Sequence, residues 1–330
     1  MTSMGQEKMT QTLPPVAGCV TIGIDVGKDN LDAHLLPDNV HRRFPNSEAG
    51  CAALIAWVAP RQPSRVVFEA TGAYHRGLEQ ALGRAGLAAV KVNPWQARRF
   101  AEATGTRLKT DTVDAAMLAR FGATLQPPIP PARSAAIDVL QELQTARDAL
   151  VKDRTAALNR AKTLTLPLLV AQNRARLQAI DDQLHAIDQE RQRHLDADPD
   201  LQQRCAILTS IPGLAMLSAL RLITEMPELG SLGAKQAASL AGLAPVTRQS
   251  GQWQGKSRIQ GGRAGLRRAL YMPALVAVRF NPDMKATYQA LRRVGKPGKV
   301  AIVAVMRKLV VLANTLLRSR RCWTKAAPVG

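Results

Sequence analysis

The sequence predicts a mixed α/β domain first, a wholly helical segment next, and a mainly helical C-terminal domain carrying nearly all of the net charge. Three observations point there. Short apolar runs with period-two alternation, separated by helical-period stretches, fill the region from Cys19 to Phe121, the pattern of an α/β layer fold. Gln126-Pro-Pro-Ile-Pro-Pro131 breaks both periods and reads as a linker. Beyond it no strand signal occurs between Ile137 and His194. The expected division is a disordered lead-in at 1–17, an α/β domain at 18–132, a helical hairpin or coiled-coil oligomerisation segment at 133–203 and a basic domain at 204–330.

In chain order, Cys19-Val-Thr-Ile-Gly-Ile24 reads as a strand ending on Asp25. Gly27-Lys-Asp-Asn30 reads as a turn, and Leu31 to Leu36 as the second strand of a hairpin. A helix follows with Ala52, Leu54, Ile55 and Val58 on its apolar side, then the strand Arg65-Val-Val-Phe68 closed by Glu69. Leu78 to Gly86, Pro94 to Ala103 and Asp111 to Phe121 read as helices, and Ala88 to Val92 as a strand. Past the linker, Leu143, Leu150, Ala157 and Leu164 recur every seven residues, and Leu177, Ile180, Leu184 and Ile187 follow a 3-4-3 rhythm. Pro167 breaks or kinks the path between the two sets, and the pattern fits a coiled coil or an amphipathic helix pair. Val300 to Leu317 reads as an amphipathic helix.

The placement of charge narrows the function. Net charge is +20, and from Leu229 onward nineteen Lys and Arg face a single acid, Asp283. Such a field attracts polyanions. Aromatic residues make up only 4% of the chain, so phosphate contacts rather than base stacking must dominate binding; Trp95 and Trp253 read as packing residues before stacking platforms. Cys19, Cys51, Cys205 and Cys322 lack the close spacing of a zinc site or redox dithiol. No apolar run reaches membrane-span length, and the expected location is the bacterial cytoplasm, at the nucleoid, with no membrane partner.

Four acids carry the chemistry of the first domain. Asp25 and Glu69 each end a strand, whereas Asp111 and Asp114, in Lys109-Thr-Asp-Thr-Val-Asp114, share one face at a helix start. Singly, each has an ordinary role as turn former, surface acid or helix-dipole partner. Together they form a set able to bind Mg²⁺ or Mn²⁺, and two such ions about 4 Å apart serve in-line phosphoryl chemistry. The pattern predicts an RNase H-like (RuvC-like) metal-binding domain.

The basic domain offers two further elements. Leu208-Thr-Ser-Ile-Pro-Gly213-Leu-Ala215 resembles a helix-hairpin-helix turn, in which Gly213 would help present backbone amides to phosphate, or is a plain turn between helices. Ser250 and Ser257 lie in a loop rich in glycine and cations, where Arg248, Lys256, Arg258, Arg263, Arg267 and Arg268 can hold a phosphate for a serine nucleophile. Residue chemistry alone does not choose between the two serines.

From Thr21 to about Leu317 the sequence resembles the DEDD transposases of the insertion-sequence-110 group, in the insertion-sequence-1111 branch. The resemblance rests on Gly23-Ile-Asp-Val-Gly27, Phe68-Glu-Ala-Thr-Gly72, Lys109-Thr-Asp-Thr-Val-Asp114, Ile211-Pro-Gly213, Ala241-Gly-Leu-Ala-Pro245, Ser250-Gly251 and Gly261-Gly-Arg-Ala-Gly-Leu-Arg-Arg268. Many relatives carry Asn where Arg263 stands, a difference belonging to the branch. The resemblance implies catalytic and metal-binding roles for Asp25, Glu69, Asp111 and Asp114, and makes Ser250 the nucleophile of a C-terminal serine transposase domain. It further implies double-stranded DNA substrates at element ends and target, a structured non-coding guide (bridge) RNA, and homodimers pairing into tetramers with composite active sites. Two rival expectations stand beside it: a metal-dependent junction nuclease using water, and a DNA-binding protein without catalysis.

Overall fold

The first unit is built on a sheet with strand order β3-β2-β1-β4-β5. β1 (Thr21–Val26), β2 (Asn30–Leu36) and β3 (Val40–Pro45) form an antiparallel meander, whereas β4 (Arg65–Glu69) and β5 (Ala89–Val92) run parallel to β1. The computed structural model describes residues 19–69, 72, 74–105, 110–130, 134–247, 249–255 and 257–325. The lead-in at 1–17, Lys109, Arg248 and Lys256 lie outside them. The chain divides into two compact units, 1–132 and 133–330, the second including the helical segment expected at 133–203.

Alternation along β1 sorts the first unit into layers. Ile22, Ile24 and Val26 point to one face, where they pack with Leu31, Leu35, Val66 and Phe68 against α1 (Glu48–Val58) and α2 (Arg76–Arg84). Thr21, Gly23 and Asp25 point to the other face. There α3 (Pro94–Ala103) and α4 (Asp111–Leu125) pack through Ala97, Met117, Leu118 and Phe121 onto Val67, Val90 and Val92. Gly23 decides how closely α4 lies on the sheet: a β-carbon there would overlap the backbone of Ala115 and Ala119, and one at Gly122 would meet Val67 and Thr21. Gly23 lets backbone ride on backbone and Gly122 makes room for the Val67 and Thr21 side chains, with α4 antiparallel to β1 and its first turn level with Asp25.

β3 is an element that the hydrophobic pattern does not announce. Val-His-Arg-Arg-Phe-Pro is an edge strand with mostly exposed side chains, and charged residues are how exposed edges avoid further pairing.

In the second unit, α5 (Ala135–Ala161) and α6 (Pro167–Asp196) form an antiparallel hairpin. Arg147 binds Asp188 and Arg154 binds Asp181, each through two guanidinium nitrogens, so the pairs advance seven residues on one helix and retreat seven on the other. Pro167 opens α6 rather than kinking a continuous helix, since its missing N–H costs nothing in a first turn. Ile137 and Leu140 enter the core formed by α7 (Pro199–Thr209), α8 (Met216–Glu225), α9 (Ala234–Leu240), α10 (Ala264–Ala269), α11 (Tyr271–Phe280), α12 (Pro282–Arg293) and α13 (Gly298–Arg318). By length and composition α13 is apolar enough to cross a membrane; its Ile302, Val305, Leu309, Val310 and Leu316 are the spine of this core.

Four two-residue strands interrupt the helices: β6 (Pro245–Val246) pairs with β9 (Arg258–Ile259), and β7 (Gln249–Ser250) with β8 (Trp253–Gln254). Ser250 therefore closes a tight hairpin instead of lying in an open loop, with Gly251 in the left-handed region at φ +54°.

The contact between α4 and β1 gives a direct expectation. Gly23→Ala should lower unfolding free energy by at least about 2 kcal/mol, because the added methyl meets backbone that cannot turn aside. Gly83 in α2, where an added β-carbon would have nothing within 4 Å, should tolerate Ala or gain up to about 1 kcal/mol. Urea denaturation of both variants checks this, and equal effects would remove Gly23 from its role.

Candidate active site

The sheet register brings the sequence-predicted acids together. Ile24 is level with Phe68 on the parallel neighbour, so Asp25 and Glu69 are the next residues at the same ends of adjacent strands. Both lie on the α4 side, by alternation from Gly23 and Val67. Thr110 caps α4 by accepting a hydrogen bond from the Val113 amide, at 3.4 Å, which fixes Asp111 and Asp114 in the first turn. Burial grades across the group: Asp111 is exposed, and Asp25, Glu69 and Asp114 are half-buried.

Electrostatics report the convergence. Burial pushes the Asp25 carboxyl up to about 6, and the charges of Asp114, Asp111, Glu69 and Asp32 push in the same direction. The other three predicted acids thus all act on Asp25. Asp25, Asp32 and Asp111 line one small cleft of about 160 Å³ with Lys28, Asp29 and Asn30.

Three residues of the site escaped sequence reasoning. Asp32 faces Asp25 across the β1/β2 ladder and is 2% exposed. Its carboxylate accepts hydrogen bonds from His41 Nε2 at 2.8 Å and from Arg43 Nε at 3.0 and 3.1 Å. Arg43, opposite Asp32 on β3, also donates from a terminal nitrogen to Asp111 Oδ2 at 3.2 Å. The available signal was a single charge between Leu31 and Ala33 on a buried strand, a position that requires a partner; the partners sat on the unrecognised β3.

The four predicted acids and Asp32 are an oxygen-only donor set, the chemistry that Mg²⁺ and Mn²⁺ select. Among the described residues, no three His, Cys, Asp or Glu side chains are close enough to form a ready cage. The set fits a hard cation in donor type and in charge, with two members, Asp32 and Asp111, engaged by Arg43.

In the second unit the two candidate serines separate. Both are exposed, but Ser257 Oγ is 2.8 Å from Thr247 Oγ1, whereas Ser250 stands at the β7/β8 turn. The predicted cations divide likewise. Arg263 makes two bonds to the Glu228 carboxylate, at 2.7 and 2.9 Å, and one to the Glu225 carbonyl, and Arg267 donates to the carbonyls of Gly242 and Gly261. These two brace the fold, while Arg258 and Arg268 face solvent. Backbone packing explains the paired glycine motifs: a β-carbon on Gly242 would strike Gly261, and one on Gly262 would strike Gly242 and the Leu240 carbonyl. Gly213, at φ +110°, is likewise held against the backbone of Ala277. Trp95 does not pack inward as expected; it is 63% exposed, with the Arg99 guanidinium 5.5 Å from its ring centre.

Residues 22–167 match the DEDD_Tnp_IS110 transposase family, and residues 205–289 match the Transposase IS116/IS110/IS902 family. The pilin gene-inverting protein of Moraxella lacunata is 30% identical over 320 residues, spanning 92% of this chain and 97% of that protein. The chain belongs to the IS110/IS116 family of transposases. The transposase is also 28% identical over 170 residues to an uncharacterized 43.6 kDa protein of insertion element IS110 from Streptomyces coelicolor, covering 51% of this chain and 41% of that protein. A solved structure of Thermus thermophilus RuvC with a Holliday junction substrate aligns with 33% of the transposase and 96% of its own chain, at 16% identity and a TM-score of 0.24. Family membership makes the protein a DNA-acting enzyme that cleaves and rejoins strands, and the family's DEDD designation implies use of a divalent metal.

The raised Asp25 pKa sets a pH signature for the metal-free transposase. A carboxyl whose folded-state pKa lies above its unfolded value binds protons more tightly in the native state, so stability falls as pH rises from about 4 to about 6. In EDTA, Asp25→Asn should therefore raise the melting temperature above pH 6, with the gain vanishing below about pH 4. A gain that is flat with pH would show that Asp25 does not feel the neighbouring charges.

Proposed function

We propose that the transposase is a two-chemistry strand-exchange enzyme: a RuvC-like, RNase H-like domain holds Mg²⁺ on Asp25, Glu69, Asp111 and Asp114, and Ser250 in the C-terminal serine domain is the nucleophile. The observation carrying this is the meeting of four acids, spread over ninety residues of sequence, at the ends of β1 and β4 and the start of α4. The strand order, with a meander on one side of β1 and parallel strands on the other, agrees with it.

When bound, the metal would supply Lewis-acid stabilisation of the phosphoryl oxygens. The rest falls to the chain. The exposed Ser250 hydroxyl attacks phosphorus, the bond to one sugar oxygen breaks, and the serine proton ends on that departing oxygen, leaving a phosphoserine that conserves the phosphoester for rejoining. Arg258 and Arg268, with Arg248 and Lys256, steady the phosphate charge. A relative named for inverting a pilin gene favours exchange of strands over cleavage alone.

The partners follow from the same surfaces. Duplex DNA and a structured guide RNA both suit nineteen cations against one acid. The turn from Ser210 to Ala215 acts as a helix-hairpin-helix element, and the lack of a side-chain cap on α8 leaves its first amides to phosphate. Leu143, Leu150, Leu177, Leu184 and Ile187 stay half-buried on the α5/α6 hairpin, which supports coiled-coil pairing of subunits into dimers and tetramers.

Ser250→Ala should abolish the covalent protein-DNA adduct and reduce excision or integration at least roughly a thousandfold, with the melting temperature unchanged. Denaturing-gel detection of the adduct on end-labelled element DNA is the measurement. Undiminished cleavage by this variant would establish a water-using nuclease, and undiminished activity of Asp25→Ala, Glu69→Ala and Asp111→Ala would remove the metal role.

A further inference from the structure

The sheet places a fixed cation among the acids. Asp25, Asp32 and Arg43 stand side by side on three neighbouring strands, by the register Asp25 to Asp32 and Asp32 to Arg43. Cross-strand partners share a face, so all three lie on the α4 side. The two ends of the guanidinium have different attachments. One is bound to a carboxylate that is 3% exposed and also receives His41, a buried charge that cannot be left without its partner at little cost. The other reaches Asp111, whose side chain is 64% exposed, and exposed ion pairs are weak and readily exchanged. Arg43 is thus firmly anchored at Asp32 and lightly attached to Asp111, one of the acids proposed to hold the metal.

We infer that Arg43 is a resident stand-in cation: anchored on Asp32, it holds Asp111 in the metal-free site and competes with the incoming divalent ion for that carboxylate. Arg43 is a positioning residue acting through Asp111. By its competition it weakens metal binding, and its charge offsets part of the repulsion among the carboxylates when no ion is bound. Metal entry exchanges one weak limb of the guanidinium and leaves the buried limb in place, so the site loads without rearranging the sheet. The inference rests on the assignment of Asp25, Glu69, Asp111 and Asp114 as metal ligands.

The test is titration of the full chain with Mn²⁺ alone, following free ion by electron paramagnetic resonance and heat by calorimetry. Arg43→Gln should bind Mn²⁺ roughly tenfold more tightly than the wild type, since it removes both the competitor for Asp111 and a unit positive charge beside the site. Arg42 lies next to Arg43 on β3 but opposite Ala33, with its guanidinium 5.8 Å from the Phe44 ring on the other face. Arg42→Gln removes the same charge and should change the affinity by no more than about twofold. Because Arg43→Gln leaves Asp32 with His41 as its remaining partner, the double variant Asp32→Asn/Arg43→Gln guards against misfolding, and it should also bind Mn²⁺ more tightly than wild type, by a smaller factor. A purely structural strut would leave metal affinity unchanged or weaken it. Unchanged or weaker binding by the Arg43 variants, or an equal gain from Arg42→Gln, overturns the inference while the metal assignment stands. Failure of the wild type to bind Mn²⁺ at all overturns the metal assignment, and the inference with it.

Discussion

Everything in the first unit depends on a backbone-to-backbone contact between α4 and the central strand. Gly23 has no side chain to hold the helix off, and further along α4 Gly122 leaves space that the side chains of Thr21 and Val67 fill. Helix packing on a sheet ordinarily leaves room for two layers of side chains. Here that spacing collapses at Gly23, and two residues later the same face of β1 presents Asp25. The first turn of α4 then has no option but to bring Asp111 and Asp114 toward it. The apolar contacts of Met117, Leu118 and Phe121 with Val67, Val90 and Val92 hold the helix down, and their burial opposes the repulsion that accumulates at the other end of α4.

That repulsion is distributed with a clear order. Asp25 bears a marked share of it, since burial and four neighbouring charges all raise its pKa. Asp32 is more deeply buried still, yet it receives His41 and Arg43. Like charges directly opposite on an antiparallel ladder are unfavourable, and the β1/β2 pair is tolerable because only one of its two carboxylates lacks a cation on its own sheet. The second unit shows the reverse economy of charge. It has cations in excess, and Arg263 and Arg267 are tied to Glu228 and to backbone carbonyls around the Gly242/Gly262 contact, whereas Arg258 and Arg268 face solvent.

The parts of this arrangement that were legible in the sequence are those with local signatures. Period-two apolar runs marked β1, β2, β4 and β5; the Asp-x-x-Asp spacing of Asp111 and Asp114 marked the start of α4; and strand ends marked Asp25 and Glu69. Residues whose role depends on a partner far along the chain were hidden. Arg43 reaches Asp111 across 68 residues, and Arg263 reaches Glu228 across 35, so neither partner is suggested by its surroundings. β3 was hidden for another reason: an edge strand with a polar exposed surface has no hydrophobic alternation to detect. Ser250 and Ser257 shared the same local chemistry, and only the hydrogen bond between Thr247 and Ser257 tells them apart. The same limit made Arg263 resemble a phosphate ligand, since a cation in a glycine-rich stretch carries no mark of an acid waiting elsewhere in the fold.

The orientation of α4 adds a final constraint on how the acidic cluster is approached. An α-helix of fifteen residues presents partial positive charge at its N-terminus, and this end is the one directed at the carboxylates. Asp111 and Asp114 in that first turn are stabilised by the same field that would attract an anionic phosphate, so the helix end serves ligands of like charge in sequence: acids that belong to the protein, then a phosphoester that does not. Burial decides the direction of entry. The inner side is closed by Asp32 and the β1/β2 ladder, whereas the outer side is open at Asp111. In the proposed function a phosphate would approach on this open side, where Arg43 and the first turn of α4 stand beside Asp111. On that reading the site is electrostatically incomplete on its open side, which is the condition for binding energy to be released when the charges meet rather than during folding.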